Sequence, residues 1–131
     1  MFDAWADPKA KARWFSRADG EHELDFRVGG VEINRVRHPD GPLMTFESRY
    51  HDIVPHGRIV YSSTLSADGV LWTVSVTTVE LHREGDDDTR LLLVEQDTFL
   101  DGHEQPSWRE QGTSDWLNAL GAELTNAKEG D

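Results

Sequence analysis

Thr89-Arg90-Leu91-Leu92-Leu93-Val94-Glu95-Gln96-Asp97-Thr98-Phe99, then Leu100-Asp101-Gly102, then a stretch carrying Trp108, Trp116, Leu117, Leu120 and Leu124, decides how the rest of the chain is read. The first part reads as a strand, the second as a turn, and the third as a helix with one apolar stripe. A lone helix of that kind cannot bury its stripe in water, so it needs a sheet to lie on. Everything upstream reads as strands able to supply one, and the space between helix and sheet is where function is expected.

Working back from Thr89, the strands are separated by short turns. Leu71 to Arg83 is rich in Val and Thr, Arg58 to Ser66 precedes the turn Ala67-Asp68-Gly69, and Leu43 to Val54 is broken by Pro55-His56-Gly57. The face of Leu43 to Val54 with Glu47, Arg49, His51 and Ile53 is opposed by the face with Phe46, Ser48 and Tyr50. Val31 to His38 alternates with Val31, Ile33, Arg35 and Arg37 together, ahead of the turn Pro39-Asp40-Gly41-Pro42. Glu21 to Arg27 alternates too, with His22, Leu24 and Phe26 on one face, and Gly29-Gly30 follows as a turn or bulge. Short connections make neighbouring strands antiparallel, because a parallel pair needs a crossover of about a dozen residues.

Before the strands, Asp7-Pro8 is a helix start, with Asp7 as cap and Pro8 in the first turn, and Asp19-Gly20 closes the segment. The helix lays Trp14 and Phe15 on the core, while Lys9, Lys11, Arg13 and Arg17 are read as a solvated basic face. At the other end Ser107 and Glu110 suggest a capping box, Gly112 inside the helix suggests close approach of a backbone or a ligand, and Ala127 to Asp131 suggests a frayed tail.

The totals exclude several classes. One domain, residues 1–126, with a disordered tail at 127–131, fits the 131-residue length. A net charge of −12 opposes nucleic acid and anionic membrane surfaces as partners. No apolar run reaches membrane-span length and Met1-Phe2-Asp3-Ala4-Trp5 lacks signal-peptide character, so a cytoplasmic location is expected. The absence of cysteine rules out disulfide and thiolate chemistry. The histidines (His22, His38, His51, His56, His82, His103) are scattered, and the acid run Glu84-Gly85-Asp86-Asp87-Asp88 lacks the ligand order of a calcium loop. No metal and no cofactor are expected. Walker, Gly-x-Ser-x-Gly and His-Glu-x-x-His motifs are absent.

Taken in order, Phe2-Asp3-Ala4-Trp5-Ala6-Asp7-Pro8, Trp14-Phe15, Asp25-Phe26-Arg27-Val28-Gly29-Gly30, Ile53-Val54-Pro55, Arg58-Ile59-Val60-Tyr61, Thr89-Arg90-Leu91, Glu95-Gln96, Phe99-Leu100-Asp101-Gly102, Arg109-Glu110 and Gly112-Thr113 carry a resemblance over nearly the whole chain. Together they resemble the SRPBCC (START-like, birch-pollen-allergen-like) superfamily, in the branch named after the activator of the heat-shock-protein-90 ATPase. The resemblance implies an α+β helix-grip fold: a curved antiparallel sheet of about six strands wrapped on a long C-terminal helix, with a short N-terminal helical segment and a cavity for a hydrophobic or amphipathic molecule. It also implies an edge strand ahead of Phe2 that pairs with the last strand. Without it, Thr89 to Phe99 is an exposed edge through which a homodimer is expected, and an upstream start would supply the strand instead.

With Leu91 and Leu93 pointing inward, as the resemblance implies, alternation takes Glu95 inward too. The candidate ligand-binding residues are Trp14, Phe26, Glu47, Tyr61, Glu95, Trp108, Gly112 and Trp116. Each has a plainer reading: the aromatics as core, and Glu47, Arg49 and His51 as a surface charge ladder. The leading function is a non-catalytic carrier or sensor of a small hydrophobic ligand. The alternative is a polyketide-cyclase-like or hydrolase-like enzyme, with Glu95 or His51 as general acid/base and Arg49 or Tyr61 orienting a carbonyl or enolate. A chaperone ATPase co-regulator is the third reading, implied only by the family name.

Overall fold

The sheet is a simple meander, which is what short turns between successive strands demand. A computed structural model describes residues 1–16, 20–37, 39–86 and 88–129; Arg17 of the basic cluster, Asp19 of the first turn, His38, Asp87 of the acid run and the last two residues of the expected tail lie outside these. Two helices, α1 (Phe2–Ala6) and α2 (Pro8–Phe15), precede β1 (Glu21–Leu24), β2 (Val31–Arg37), β3 (Leu43–Val54), β4 (Arg58–Ala67), β5 (Val70–Glu84) and β6 (Asp88–Phe99), and α3 (Pro106–Glu129) closes the chain. All six strands form one antiparallel sheet in the order β1-β2-β3-β4-β5-β6. With α3 lying across its inner face, the arrangement is a helix-grip fold.

Local chemistry sets the joints. Asp7 caps α2 by accepting from the Lys9 backbone N–H at 3.1 Å, with Pro8 behind it. Asp68 (φ 47°) and Gly69 (φ 82°) place consecutive residues in the left-handed region at the β4–β5 hairpin. At Gly30 a Cβ would stand 2.1 Å from the Asp25 carbonyl oxygen, so only glycine fits where the chain enters β2. Register breaks between Tyr50 and Asp52 in β3 and between Leu65 and Ser66 in β4 bend the sheet around the helix.

The core joins Trp5, Trp14 and Phe15 to Phe46, Tyr50, Ile59, Tyr61, Val79 and Leu81 of the sheet and Leu120 of α3. Trp116 of α3 lies 4.4 Å from Phe15 and 5.5 Å from Phe46, ring centre to ring centre, tying the N-terminal helices, the sheet and α3 together.

In β2 the fully buried residues are Glu32 and Asn34, with Val31 and Ile33 half-buried on the opposite face. Other expectations are corrected. Lys11 is not solvated: it is 1% exposed, its Nζ donates to Glu32 at 3.0 Å and it stands over the Trp5, Trp14 and Phe15 rings. Ile53 does not share the outer face of His51, because the β3 break shifts the alternation and Ile53 packs on the core. The first residue of α3 is Pro106, with the Trp108 N–H bonded to the Gln105 carbonyl, so Ser107 is already inside the helix. The helix also continues through residues 127–129, into the stretch read as tail.

Candidate functional site

Alternation along β6 turns Leu91, Leu93, Glu95, Asp97 and Phe99 toward α3. Between the end of β6 and the first half of α3 lies a cavity of about 660 Å³, lined by Glu95, Asp97, Phe99, Pro106, Arg109, Glu110, Thr113, Ser114, Leu117 and Asn118. Helical spacing brings Arg109, Thr113 and Leu117 to the same wall, each one turn from the next. Phe99, Pro106 and Leu117 make the apolar side; Glu95, Asp97 and Arg109 make the polar end.

Arg109 organises that end. It is 8% exposed, its guanidinium lies 5.7 Å from the Phe46 ring, and Nη2 donates to Glu104 Oε1 at 3.0 Å. Glu104, on the loop before α3, also accepts from the Thr73 hydroxyl at 2.7 Å, so β5 fixes the carboxylate that fixes the arginine. Glu95 and Asp97 stand farther away, at 3.9 and 4.0 Å from Nε, beyond hydrogen-bond range. The buried Nε of Arg109 and the buried Oδ1 of Asp97 are left without a hydrogen-bond partner. Buried polar atoms rarely stay unpaired, so these two at one cavity wall are free to pair with water or with another polar group that enters it.

Glu95 accepts from the Thr77 hydroxyl at 3.2 Å. Burial and a hydrogen bond with Asp97 push its carboxyl up to about 7, with Arg109 pulling the other way. Burial also raises the Tyr61 phenol, helped by Glu32 and Glu95, so Tyr61 stays neutral behind the carboxylates. A carboxyl that exchanges its proton near neutral pH beside a fixed guanidinium can bind a polar group or relay a proton.

The expected site residues divide into groups. Glu95 lies in the main cavity. Trp108, Gly112 and Trp116 line a smaller hollow of about 130 Å³ on the other side of Arg109, with Phe46 and Leu65. Tyr61 is core, close enough to Glu95 to feel its charge. Trp14 is sealed under the N-terminal helices, its Nε1 donating to the Ala4 carbonyl, and Phe26 packs edge-on against Tyr50 and Phe2; neither lines the cavity. Glu47, Arg49 and His51 are corrected outright: they are exposed on the outer face, where His51 Nε2 bonds the Ser62 hydroxyl at 2.7 Å and Arg49 reaches the Gly29 carbonyl. The inner face of β3 belongs to Phe46, Ser48 and Tyr50, because the large apolar groups outcompete charges for burial.

The sequence reading missed Asp97, Phe99, Arg109, Glu104 and Leu117 as site residues. The first two follow from the same alternation that found Glu95. Arg109 and Leu117 share the helix stripe of Trp116 and Leu120, although a charged residue on that stripe gave no sign of turning inward. Among the described residues no group of three or more His, Cys, Asp or Glu side chains is arranged to hold a metal ion. Nor, among them, is any helix long and apolar enough to cross a membrane.

The family model described as Activator of Hsp90 ATPase homolog 1-like protein matches residues 1–125. The chain belongs to this family. Among solved structures it is similar to a protein from Rhizobium loti, with 42% identity over 93% of this chain and 85% of that one and a TM-score of 0.87. It is also similar to an uncharacterized protein from Rhizobium leguminosarum, with 36% identity over 95% and 84% of the two chains and a TM-score of 0.91. A protein from Chromobacterium violaceum shares 26% identity over 92% and 84% of the chains, with a TM-score of 0.75. Among curated proteins none is significantly similar. Family membership carries the fold and a ligand-binding type of architecture; it names no ligand.

Proposed function

We propose that the protein binds a small amphipathic molecule between β6 and α3 and acts as a carrier or sensor rather than a catalyst. The observation that carries this reading is the cavity of about 660 Å³ whose inner end holds a buried, incompletely paired Arg109 and Asp97. The volume falls within the range of about 300–1,000 Å³ usual for small-molecule pockets. Leu117, Phe99 and Pro106 would cover the apolar body, while the polar end would fix orientation.

One observation favours a second, catalytic reading: Glu95 is poised to exchange its proton near pH 7. The imidazole partner expected for that chemistry, His51, faces away from the cavity. The binder is therefore the better supported reading.

Native mass spectrometry of protein purified from its own host tests it. The expected result is a bound mass that is lost on denaturation and absent from a Leu117→Arg variant, whose side chain would occupy the cavity. Bare polypeptide mass, together with no thermal stabilisation by any member of an amphiphile library, would overturn the proposal.

A further inference from the structure

Resting on that cavity reading, we infer that the ligand carries a protonated amine on an apolar body, and that the amine sits between Glu95 and Asp97 in place of a proton. The charge arrangement at the inner end supports this. Glu95, Asp97 and Glu104 surround a single guanidinium, and Glu104 alone engages it closely, at 3.0 Å against 3.9 and 4.0 Å for the others. All three carboxylates are 10–14% exposed, so water screens them little. Glu95 and Asp97 thus share a buried space in which the one cation, Arg109, stands beyond hydrogen-bond distance of both. The rim adds the exposed Glu110, and Arg109 is the one cationic side chain in the lining.

An anionic head group would have to displace Glu104 from Arg109 and then lie against two further carboxylates. A neutral alcohol would leave the acid pair uncompensated. An ammonium group supplies donors to both carboxylates, including the unpartnered Asp97 Oδ1, and an oxygen beside it would accept from the unpartnered Arg109 Nε.

Without ligand, burial first and then the hydrogen bond with Asp97 push the Glu95 carboxyl up to about 7 against the pull of Arg109, and the proton it keeps also eases the repulsion between the two acids. The groups facing Glu95 are Asp97 on its own strand, the uncharged Thr77 on β5, Tyr61 on β4 and Arg109 on α3. Burial keeps Tyr61 protonated, so Glu95 is the group at this end that changes charge near neutrality. Amine binding should expel its proton.

The test uses n-octylamine, octanoate and 1-octanol as probes, measured by isothermal titration calorimetry at pH 6 and pH 8 in two buffers of different ionisation enthalpy. Octylamine is expected to bind at least about tenfold more tightly than either other probe at pH 8. Its affinity is expected to fall about tenfold at pH 6, with close to one proton released there, as displacement of a single proton near pH 7 requires. Glu95→Gln should remove the pH dependence and bring the three probes to within about threefold, whereas Asp97→Asn should weaken octylamine binding and leave part of the pH dependence, because burial still raises Glu95.

Octanoate or octanol binding as tightly as the amine, or amine binding without proton release, would overturn the inference and leave the cavity reading standing. Absence of binding by all three probes up to their solubility would overturn both. Because the wild-type pH profile alone decides the matter, poor folding of a variant does not remove the test.

Discussion

Two carboxylates in this molecule answer pH in opposite directions, and their neighbours explain why. Glu32 is buried, yet it accepts from Lys11, Tyr50 and His22, and its carboxyl lies below the ordinary 4.5: burial alone would raise it, and those partners outweigh burial. The unfolded chain therefore binds more protons in acid, so Glu32's contribution is present above about pH 4.5 and is lost as pH falls through its depressed value. Glu95 is raised from 4.5 to about 7, so the folded state holds the extra proton and stability from this group is lost as pH rises through that window. Glu95→Gln is accordingly expected to melt a few degrees above the parent at pH 8 and to match it near pH 5, read by thermal denaturation at both values. Lys11→Met leaves the Glu32 carboxylate buried without its cation and is expected to cost about 3–5 kcal/mol in urea unfolding, whereas pairing it with Glu32→Leu should recover most of that loss. An intact stability in the single variant would show that Tyr50 and His22 suffice. Neither Lys11 nor Glu32 was legible in sequence, because nothing in the spacing distinguishes a lysine that finds a buried partner on another element from one that faces water.

At the level of elements, the alternation of β6 and the stripe of α3 were both readable, and between them they located one wall of the cavity before any coordinates. The break in β3 was not. Leu43 to Val54 contains no glycine or proline to mark it, and it moves Ile53 from the outer side to the core. Gly112 was read as a point of close approach, yet a Cβ there would meet nothing within 4 Å. It is a helix-interior glycine without a steric demand, so Gly112→Ala is expected to stabilise the protein by about 1 kcal/mol in denaturant unfolding. A loss of stability instead would mean that α3 moves closer to the sheet in solution.

For the whole molecule the feature that matters most is β6, which pairs with β5 on one side and stands at the margin of the sheet on the other. Its outward Leu92 and Val94 are exposed, as are Val74 and Val76 on β5. An unpaired strand with an apolar flank tends to recruit another strand, and we propose a second copy of the chain as that partner. Sedimentation velocity is expected to show a concentration-dependent dimer that weakens when Leu92 and Val94 are both changed to lysine; a monomer at all concentrations would dismiss it. What the sequence by itself determined was the meander, the closing helix and the shared face of Leu91, Leu93 and Glu95, with the family resemblance saying that this face turns inward, because strand alternation, turn residues and helical spacing are local and survive in the bare order of residues. Only the tertiary structure decided that Glu47, Arg49 and His51 face out, that Lys11 and Glu32 face in, and that Arg109 meets Glu104 and Asp97. Those outcomes depend on which charges find partners across distant elements, a pairwise competition for burial that no single stretch of chain contains.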